Sequence, residues 1–501
     1  MLTLSDALAA NAVKWPDAVC LADAQRQLTF SELNARTSRL ANGLLSMGVR
    51  SGDAIAVYAR NSIEYMEVFH VAARLGMRLV TLNFWLRTTE MAVLLDHSEA
   101  RFLVIGESAQ HEIAAHRALF SKVEHVLVIG NPVIDDACSW ASLMEAGDDT
   151  DPAIAVDPQA PFWMMYTSGT TGNPKGLHRS FQRTAMCIWA GIIEFGYTRH
   201  DRFLALSPFF HGVHFMPLMV LQAGGGIYIE PEFKAARVLE TIERQEITAT
   251  FMVPTMLNLL MQEPRFEETD FSALRSVVTG GAALSTATKA CVMEVMGPVL
   301  HEFYGASESG FITVLHPEDQ WRKERCCGQP CFGAEVQIRD ELGHPLRAGE
   351  IGEVFSRCEG RFDAYYKDEA RTAAVLDNGW FTAGDLGRMD DEGFVYIVDR
   401  KSDLIISGGE NVYPREIEDV LSSHPGILEC AVVGMPDPIW GEMVVAVVVP
   451  AGKTGPRAED VIAYCSERLA GFKRPSRVEF VSSLPKNASG KILKRELKNN
   501  L

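Results

Sequence analysis

The sequence predicts an α/β protein with a large N-terminal part of layered α/β subdomains and a small, mobile α+β C-terminal lid. Three observations carry this expectation: the length of 501 residues, an alternation of helix and buried-strand signals, and a change of texture near residue 400. At about 150 residues per domain, such a chain divides into roughly three folding units. Apolar residues at 47% and charged residues at 22% are ordinary globular values, which excludes a disordered or collagen-like chain.

The alternation begins at once. Thr29 with Glu32 forms a capping-box start, with Leu33, Leu40 and Leu44 as the apolar stripe and Gly48 closing the segment. AIAVY (54–58) reads as a buried strand, Asn61 with Glu64 opens a helix that runs to Gly76, and RLVTLN (78–83) is strand-like again. The rhythm returns in ATFMVP (249–254), a helix through Leu257 and Met261, SVVTGG (276–281) and a helix from Ser285. Helices alternating with buried strands place ligand sites at the strand ends.

Near residue 400, FVYIVDRKSDLIISGGENVYP sets two short strands around the charged run Asp399-Arg400-Lys401-Ser402-Asp403. A helix over 415–423, the strand-like AVVG and VVAVVVP, and a helix over 458–469 follow. Residues 471–501 hold eight basic side chains against two acidic ones, within a chain whose formal net charge is −18. The division expected is 1–398 for the N-terminal part and 404–501 for the lid, joined through 399–403, which the resemblance described below implies is a hinge.

A net charge of −18 excludes bulk nucleic-acid binding, which runs on phosphate neutralisation, and disfavours anionic lipid surfaces. Any anionic ligand has to be held by local groups. The ten cysteines lack paired C-x-x-C ligand spacing, so reduced thiols in a cytoplasmic protein are expected, and the cluster Cys326, Cys327, Cys331 reads as structural. The N-terminus has no basic n-region with an apolar stretch, and no apolar run reaches the ~18 residues of a membrane span.

The sharpest feature is Thr167-Ser168-Gly169-Thr170-Thr171-Gly172-Asn173-Pro174-Lys175-Gly176, directly after the strand-like FWMMY. Three glycines, four hydroxyls and a lysine make a loop whose N–H groups and side chains can wrap phosphate oxygens. On composition alone such a stretch reads first as a surface turn. It is not a Walker A loop, because Gly176 stands where a hydroxyl would bind Mg²⁺.

Four further motifs follow in order: Tyr304-Gly305-Ala306-Ser307-Glu308, Trp380 to Asp385, Asp399-Arg400 leading into Ser407 to Pro414, and Pro485 to Lys491. With the glycine-rich loop they span nearly the whole chain. Together they resemble the adenylate-forming superfamily of acyl- and aryl-CoA synthetases, luciferase-like enzymes and peptide-synthetase adenylation domains.

The resemblance implies an AMP-forming acid–thiol ligase using ATP, Mg²⁺ and coenzyme A. The loop Thr167, Ser168, Gly169, Thr170, Thr171, Gly172 and Lys175 would hold the β- and γ-phosphates, and Glu308, with Ser307 before it, would meet Mg²⁺. Adenine would lie by Phe303, Tyr304, Gly305, Gly281 and Ala282, with Glu302 accepting from its amino group where relatives often carry an amide. Asp385 and Arg400 would take the ribose. Lys491 would reach both the carboxylate and the α-phosphate, and His211 would stand where acyl group and phosphate meet. Ser402 occupies the pivot, where relatives usually carry Asp or Lys. After the lid turns, Gly408 and Gly409 would line the pantetheine channel, with Trp440, Phe472 and Arg474 at the CoA nucleotide.

Phe209–Met216, Met252–Met256, Gly281–Ala283 and Ala306–Phe311 are the expected acyl walls, and they are apolar. A hydrophobic monocarboxylate, fatty or aryl, is the expected substrate. Ala383 replaces the usual threonine of Thr-Gly-Asp without removing a named role. Rival readings are a ligase that loads carrier-protein phosphopantetheine, a luciferase-like oxygenase and a catalytically silent nucleotide-binding regulator. Oligomeric state is left open, a homodimer included.

Overall fold

The computed structural model describes residues 3–167, 174–452, 455–486 and 492–501. It divides into two compact units, Met1–Glu335 with Ser356–Phe381, and Val336–Phe355 with Thr382–Leu501. The fold is mixed α/β, with layered sheets in the large unit and a smaller C-terminal unit, as the sequence predicts. The 399–403 segment lies inside the second unit.

Two large sheets dominate the first unit. One is nine-stranded; its middle strands, among them Arg202–Ala205, Ala249–Phe251, Ser276–Gly280 and Leu300–Ala306, are parallel. The other is eight-stranded, with Ala54–Tyr58 and Arg78–Thr81 parallel at its centre and the hairpin Pro161–Thr167 with Lys175–Ser180 toward one edge. Central strands such as Ala54–Tyr58 and Ser276–Gly280 are buried along nearly their whole length, as in a parallel sheet covered on both faces.

Local chemistry explains the helix boundaries. Thr29 caps Phe30–Ser46 and Glu32 returns the bond to the Thr29 N–H, which completes the capping box. Helix Ile63–Leu75 ends on Gly76 in the left-handed conformation, as expected. Its start differs from expectation. Ser62 is the cap, accepting from the Tyr65 N–H, while Asn61 donates to the Ser207 carbonyl and accepts from the Phe209 N–H at 2.8 Å. Asn61 thereby ties one sheet to the loop that carries His211.

Two close approaches position the motif Tyr304–Glu308. A Cβ on Gly280 would stand 2.5 Å from the Phe303 ring on the neighbouring strand. A Cβ on Gly305 would run into the Gly310 carbonyl across the turn.

In the second unit, Ile427–Asp437 and Gly441–Pro450 form a long antiparallel hairpin, with Arg477–Phe480 parallel to the latter. Helices Pro414–Ser422 and Ala458–Ser466 bury Ile417, Leu421, Val461 and Cys465 against it. No helix among the described residues is long and apolar enough to cross a membrane.

Because the Gly310 carbonyl is backbone and cannot swing away, Gly305→Ala is expected to destabilise the first unit by ~1–3 kcal/mol, the usual cost of overpacking. Urea unfolding followed by tryptophan fluorescence checks this; an unchanged midpoint would contradict the close approach.

Candidate active site

The site grows from one carboxylate. Glu308 sits in the turn between strands Leu300–Ala306 and Gly310–Leu315 and is only 7% exposed. Lys175 places its Nζ 2.8 Å from the Glu308 Oε1, and the Tyr365 hydroxyl donates to the same oxygen at 2.6 Å. Burial pushes the Glu308 carboxyl up, but the Lys175 charge and the hydrogen bonds from Lys175 and Tyr365 outweigh it and hold the group below the usual carboxylate range. Burial and the Glu308 charge push the Tyr365 phenol up, so it stays a donor.

The strand Lys175–Ser180 explains the arrangement. Side chains alternate along a strand, so Lys175 and Arg179, four residues apart, share a face. Tyr365 pairs with Leu177 of that strand. Arg179 is fully buried, and its Nη2 donates to the Ser307 carbonyl at 2.6 Å while its Nε donates to the Gly360 carbonyl at 2.9 Å. Its guanidinium also lies 5.0 Å from the Phe215 ring centroid. Arg179 therefore ties the backbone of the Glu308 turn, at Ser307, to the segment that holds Gly360.

The glycine-rich loop expected to hold phosphate follows the first strand of this hairpin. Thr167 closes the strand Pro161–Thr167 opposite Lys175 in register. Ser168, Gly169, Thr170, Thr171 and Gly172 lie outside the described residues.

The residues expected around adenine come together at the ends of two adjacent strands. Gly281 and Ala282 follow Ser276–Gly280, beside Glu302, Phe303, Tyr304 and Gly305 on Leu300–Ala306. Gly281 has φ +84°, and a Cβ there would meet nothing within 4 Å, so its surface is open. Glu302 forms an ion pair with the buried Lys289 at 2.6 Å. That lysine comes from helix Thr286–Val295 and has no place in the sequence motifs.

His211 lies in a loop anchored by the Thr81 hydroxyl, which donates to the Phe210 carbonyl at 3.3 Å. A Cβ on Gly212 would stand 3.8 Å from the Ser307 Oγ, which places the loop against the Glu308 motif. Burial brings the His211 pKa down to about 4, so its ring is neutral near pH 7. His214 belongs to the core instead, packed on Phe69 and Phe209 with ring centroids at 4.6 and 4.4 Å. The expected acyl walls Phe209, Met216 and Met252 are likewise core residues, each at most 1% exposed. An apolar run signals burial, and sequence alone does not separate a packed core from a pocket wall.

In the second unit, Asp385 is buried and pairs in register with Arg400, whose Nε lies 3.3 Å from its Oδ1. Gly408 and Gly409 form the two-residue turn between Ile405–Ser407 and Glu410–Val412, with φ of +62° and +84°. The Gly408 N–H donates to the Trp440 carbonyl at 2.8 Å, and a Cβ there would meet the Trp440 ring at 2.9 Å. Strand Glu410–Val412 neighbours the turn Gly471–Lys473 that exposes Phe472, and Arg474 follows, exposed. The five residues expected at CoA thus lie on connected elements of the second unit. Lys491 lies outside the described residues.

No group of three or more His, Cys, Asp or Glu among the described residues could hold a metal by itself. A single ionised carboxylate fits Mg²⁺, which keeps several waters and takes substrate phosphates as its other ligands. Tyr365, Arg179 and Lys289 were not among the residues expected from sequence. Each acts through a contact set by strand pairing or helix packing, and no motif marks it.

The AMP-binding enzyme family matches residues 8–366, and its C-terminal domain matches residues 416–491. The chain belongs to that family, whose members form acyl-adenylates. Among its relatives, a feruloyl-CoA synthase from Amycolatopsis is 34% identical over 486 residues, covering 96% of each chain. A long-chain-fatty-acid–CoA ligase from Mycobacterium tuberculosis is 34% identical over 477 residues, covering 94% of this chain and 93% of the relative. The crystal structure of the anthranilate CoA ligase AuaEII with anthranoyl-AMP superimposes with a TM-score of 0.91 at 26% identity, covering 100% of this chain and 97% of that one. The chain stands among the acid–thiol ligases.

Tyr365→Phe removes a hydrogen bond to a charged group, so a stability loss of ~1.5–3 kcal/mol is expected at pH 7. Glu308 has a depressed pKa, so what stabilises its ionised form is fully present above the ordinary carboxylate range and is lost as pH falls through the folded value. The deficit between variant and parent should therefore shrink toward acid pH. Paired urea titrations from pH 7 downward test this; a deficit independent of pH would mean that the hydroxyl does not act on the charge.

Proposed function

We propose that this protein is an AMP-forming acyl-CoA synthetase acting on a hydrophobic monocarboxylate. The observation that carries the reading is Glu308, held ionised by Lys175 and Tyr365 at the mouth of the glycine-rich hairpin. In the first step a carboxylate oxygen attacks the α-phosphorus of ATP, the α–β bridging P–O bond breaks, and pyrophosphate leaves with the electron pair. In the second the CoA sulfur attacks the acyl carbon and AMP leaves as its phosphate anion.

Two anions have to meet in the first step, so cations and N–H donors are needed where charge accumulates. On this reading Lys175 and the loop Thr167–Gly172 hold the β- and γ-phosphates, while Tyr365 keeps Glu308 oriented when Lys175 turns to phosphate. Mg²⁺, when bound at Glu308, supplies further neutralisation of phosphate charge. Neutral His211 donates a hydrogen bond at the acyl–phosphate junction without adding a competing positive charge. Tyr304, Gly281 and Ala282 receive adenine, and Glu302, fixed by Lys289, accepts from its amino group. Asp385 and Arg400 take the ribose hydroxyls.

Lys491 then serves the adenylation state of the lid. A pivot at Ser402 within 399–403 exchanges it for the Gly408–Gly409 turn, Trp440, Phe472 and Arg474, which receive CoA. The cysteines form no disulfide among the described residues, which suits a reducing cytoplasm.

Lys491→Ala should lose adenylation by ~100–1000-fold, the cost of removing one transition-state contact of this kind. It should still convert a preformed acyl-adenylate and CoA to thioester. Stopped-flow assay of the two half-reactions checks this, and equal loss in both would refute the alternating lid. Thioester formed only on carrier-protein phosphopantetheine, or ATP binding without pyrophosphate release, would replace the reading with one of its rivals.

A further inference from the structure

Helix Thr286–Val295 turns a lysine inward. Ser285 caps the helix by accepting from the Thr288 N–H, and the Thr288 hydroxyl donates to the Asn258 Oδ1 at 2.7 Å, which fixes the first turn against helix Pro254–Met261. Thr288, Lys289 and Val292 are buried, so Lys289 lies on the packed face of the helix and not on its wet one. A lysine is almost never buried unless it is paired. Lys289 is 6% exposed, and its Nζ lies 2.6 Å from the Glu302 Oε1.

Glu302 stands on strand Leu300–Ala306 with Thr279 beside it on one neighbouring strand and Leu315 on the other. Neither of these carries charge; Lys289 supplies it. An ammonium has three N–H donors and no acceptor, so the carboxylate oxygen that faces it accepts. Tyr304, two residues further along the strand, shares a face with Glu302. Gly281, at the end of the adjoining strand, leaves open surface there.

We infer that Lys289 is a positioning residue for nucleotide recognition: by fixing Glu302 as an acceptor, it makes the base site take a 6-amino purine and reject a 6-oxo purine. The inference rests on the placement of adenine in the proposed function and adds the residue that decides base specificity. A 6-amino group donates to the carboxylate. A 6-oxo group sets a second acceptor against it, and both are left unpaired away from water. A 6-oxo purine also carries an N1–H, one ring position away, and a carboxylate free to move would shift to accept from it. The ion pair with Lys289 prevents that shift. An amide in this place would offer a donor as well as an acceptor, and would turn over to suit either base.

The test is calorimetric titration of the full chain with ATP and with ITP, each with Mg²⁺ and without acid or CoA. ATP should bind at least ~100-fold tighter than ITP, within what a site built to hydrogen-bond an N–H achieves against an analogue lacking it. Lys289→Met should cut that ratio at least ~10-fold, while Lys289→Arg, which keeps the charge, should preserve it. Glu302→Gln should also cut the ratio, with ATP still bound. A lysine that only stabilised the fold would weaken both nucleotides alike and leave the ratio unchanged. Because Lys289 acts through Glu302, adding Lys289→Met to Glu302→Gln should change the ratio no further. That pair of variants leaves no buried charge unpaired, so it serves even where Lys289→Met alone does not fold. Equal affinity for ATP and ITP, a ratio unmoved by Lys289→Met, or a further change in the double variant would overturn the inference, as would no binding of either nucleotide. Selective ATP binding without acid-dependent pyrophosphate exchange would instead sink the ligase reading and leave base selection standing.

Discussion

A carboxylate removed from water persists as an anion only where a cation and hydrogen-bond donors replace its hydration, and the arrangement around Glu308 meets that requirement. Lys175 supplies the charge, Tyr365 a donor to the same oxygen, and Arg179 fixes the backbone beneath. All three depend on one strand. Lys175 and Arg179 share its face, and the strand pair Ala364–Tyr365 lies alongside it. Losing that pairing would strand a buried charge, so the hairpin and the Glu308 turn have to fold as one piece.

The same constraint shapes the chemistry. A chain with a net charge of −18 repels ATP, carboxylates and CoA at long range. Binding then has to come from short-range groups, and the structure concentrates them: Lys175 by Glu308, Lys289 by Glu302, Arg400 by Asp385. In each pair the cation neutralises a carboxylate before ligand arrives, which keeps both side chains oriented. His211, by contrast, is kept neutral by burial.

Much of this was legible in the sequence. Thr29 with Glu32, Gly76, and the apolar runs 54–58 and 276–280 mark helix ends and buried strands because their signals are local. The five motifs single out Glu302 to Glu308, Asp385 with Arg400, and Gly408–Gly409, and each group lies together in the structure because it is contiguous in the chain or paired across one hairpin. What was not legible is what depends on packing between distant segments. Asn61 reads as a helix cap, yet Ser62 takes that role because the Asn61 amide is already bonded to the Ser207–Phe209 loop. Tyr365 and Arg179 become visible only once strand register brings them to Glu308. Phe209, Met216 and Met252 read as apolar from the sequence, and only the fold shows them packed in the core.

The central claim is that the Glu308 site activates a carboxylate as its adenylate, and isotope exchange tests it without reference to the acceptor. Purified protein with ATP, Mg²⁺ and labelled pyrophosphate, but no CoA, should incorporate label into ATP only when a carboxylic acid is added. Hydrophobic monocarboxylates, fatty or aryl, should support the fastest exchange. Exchange independent of added acid, or its absence with every acid while ATP still binds, would contradict the account.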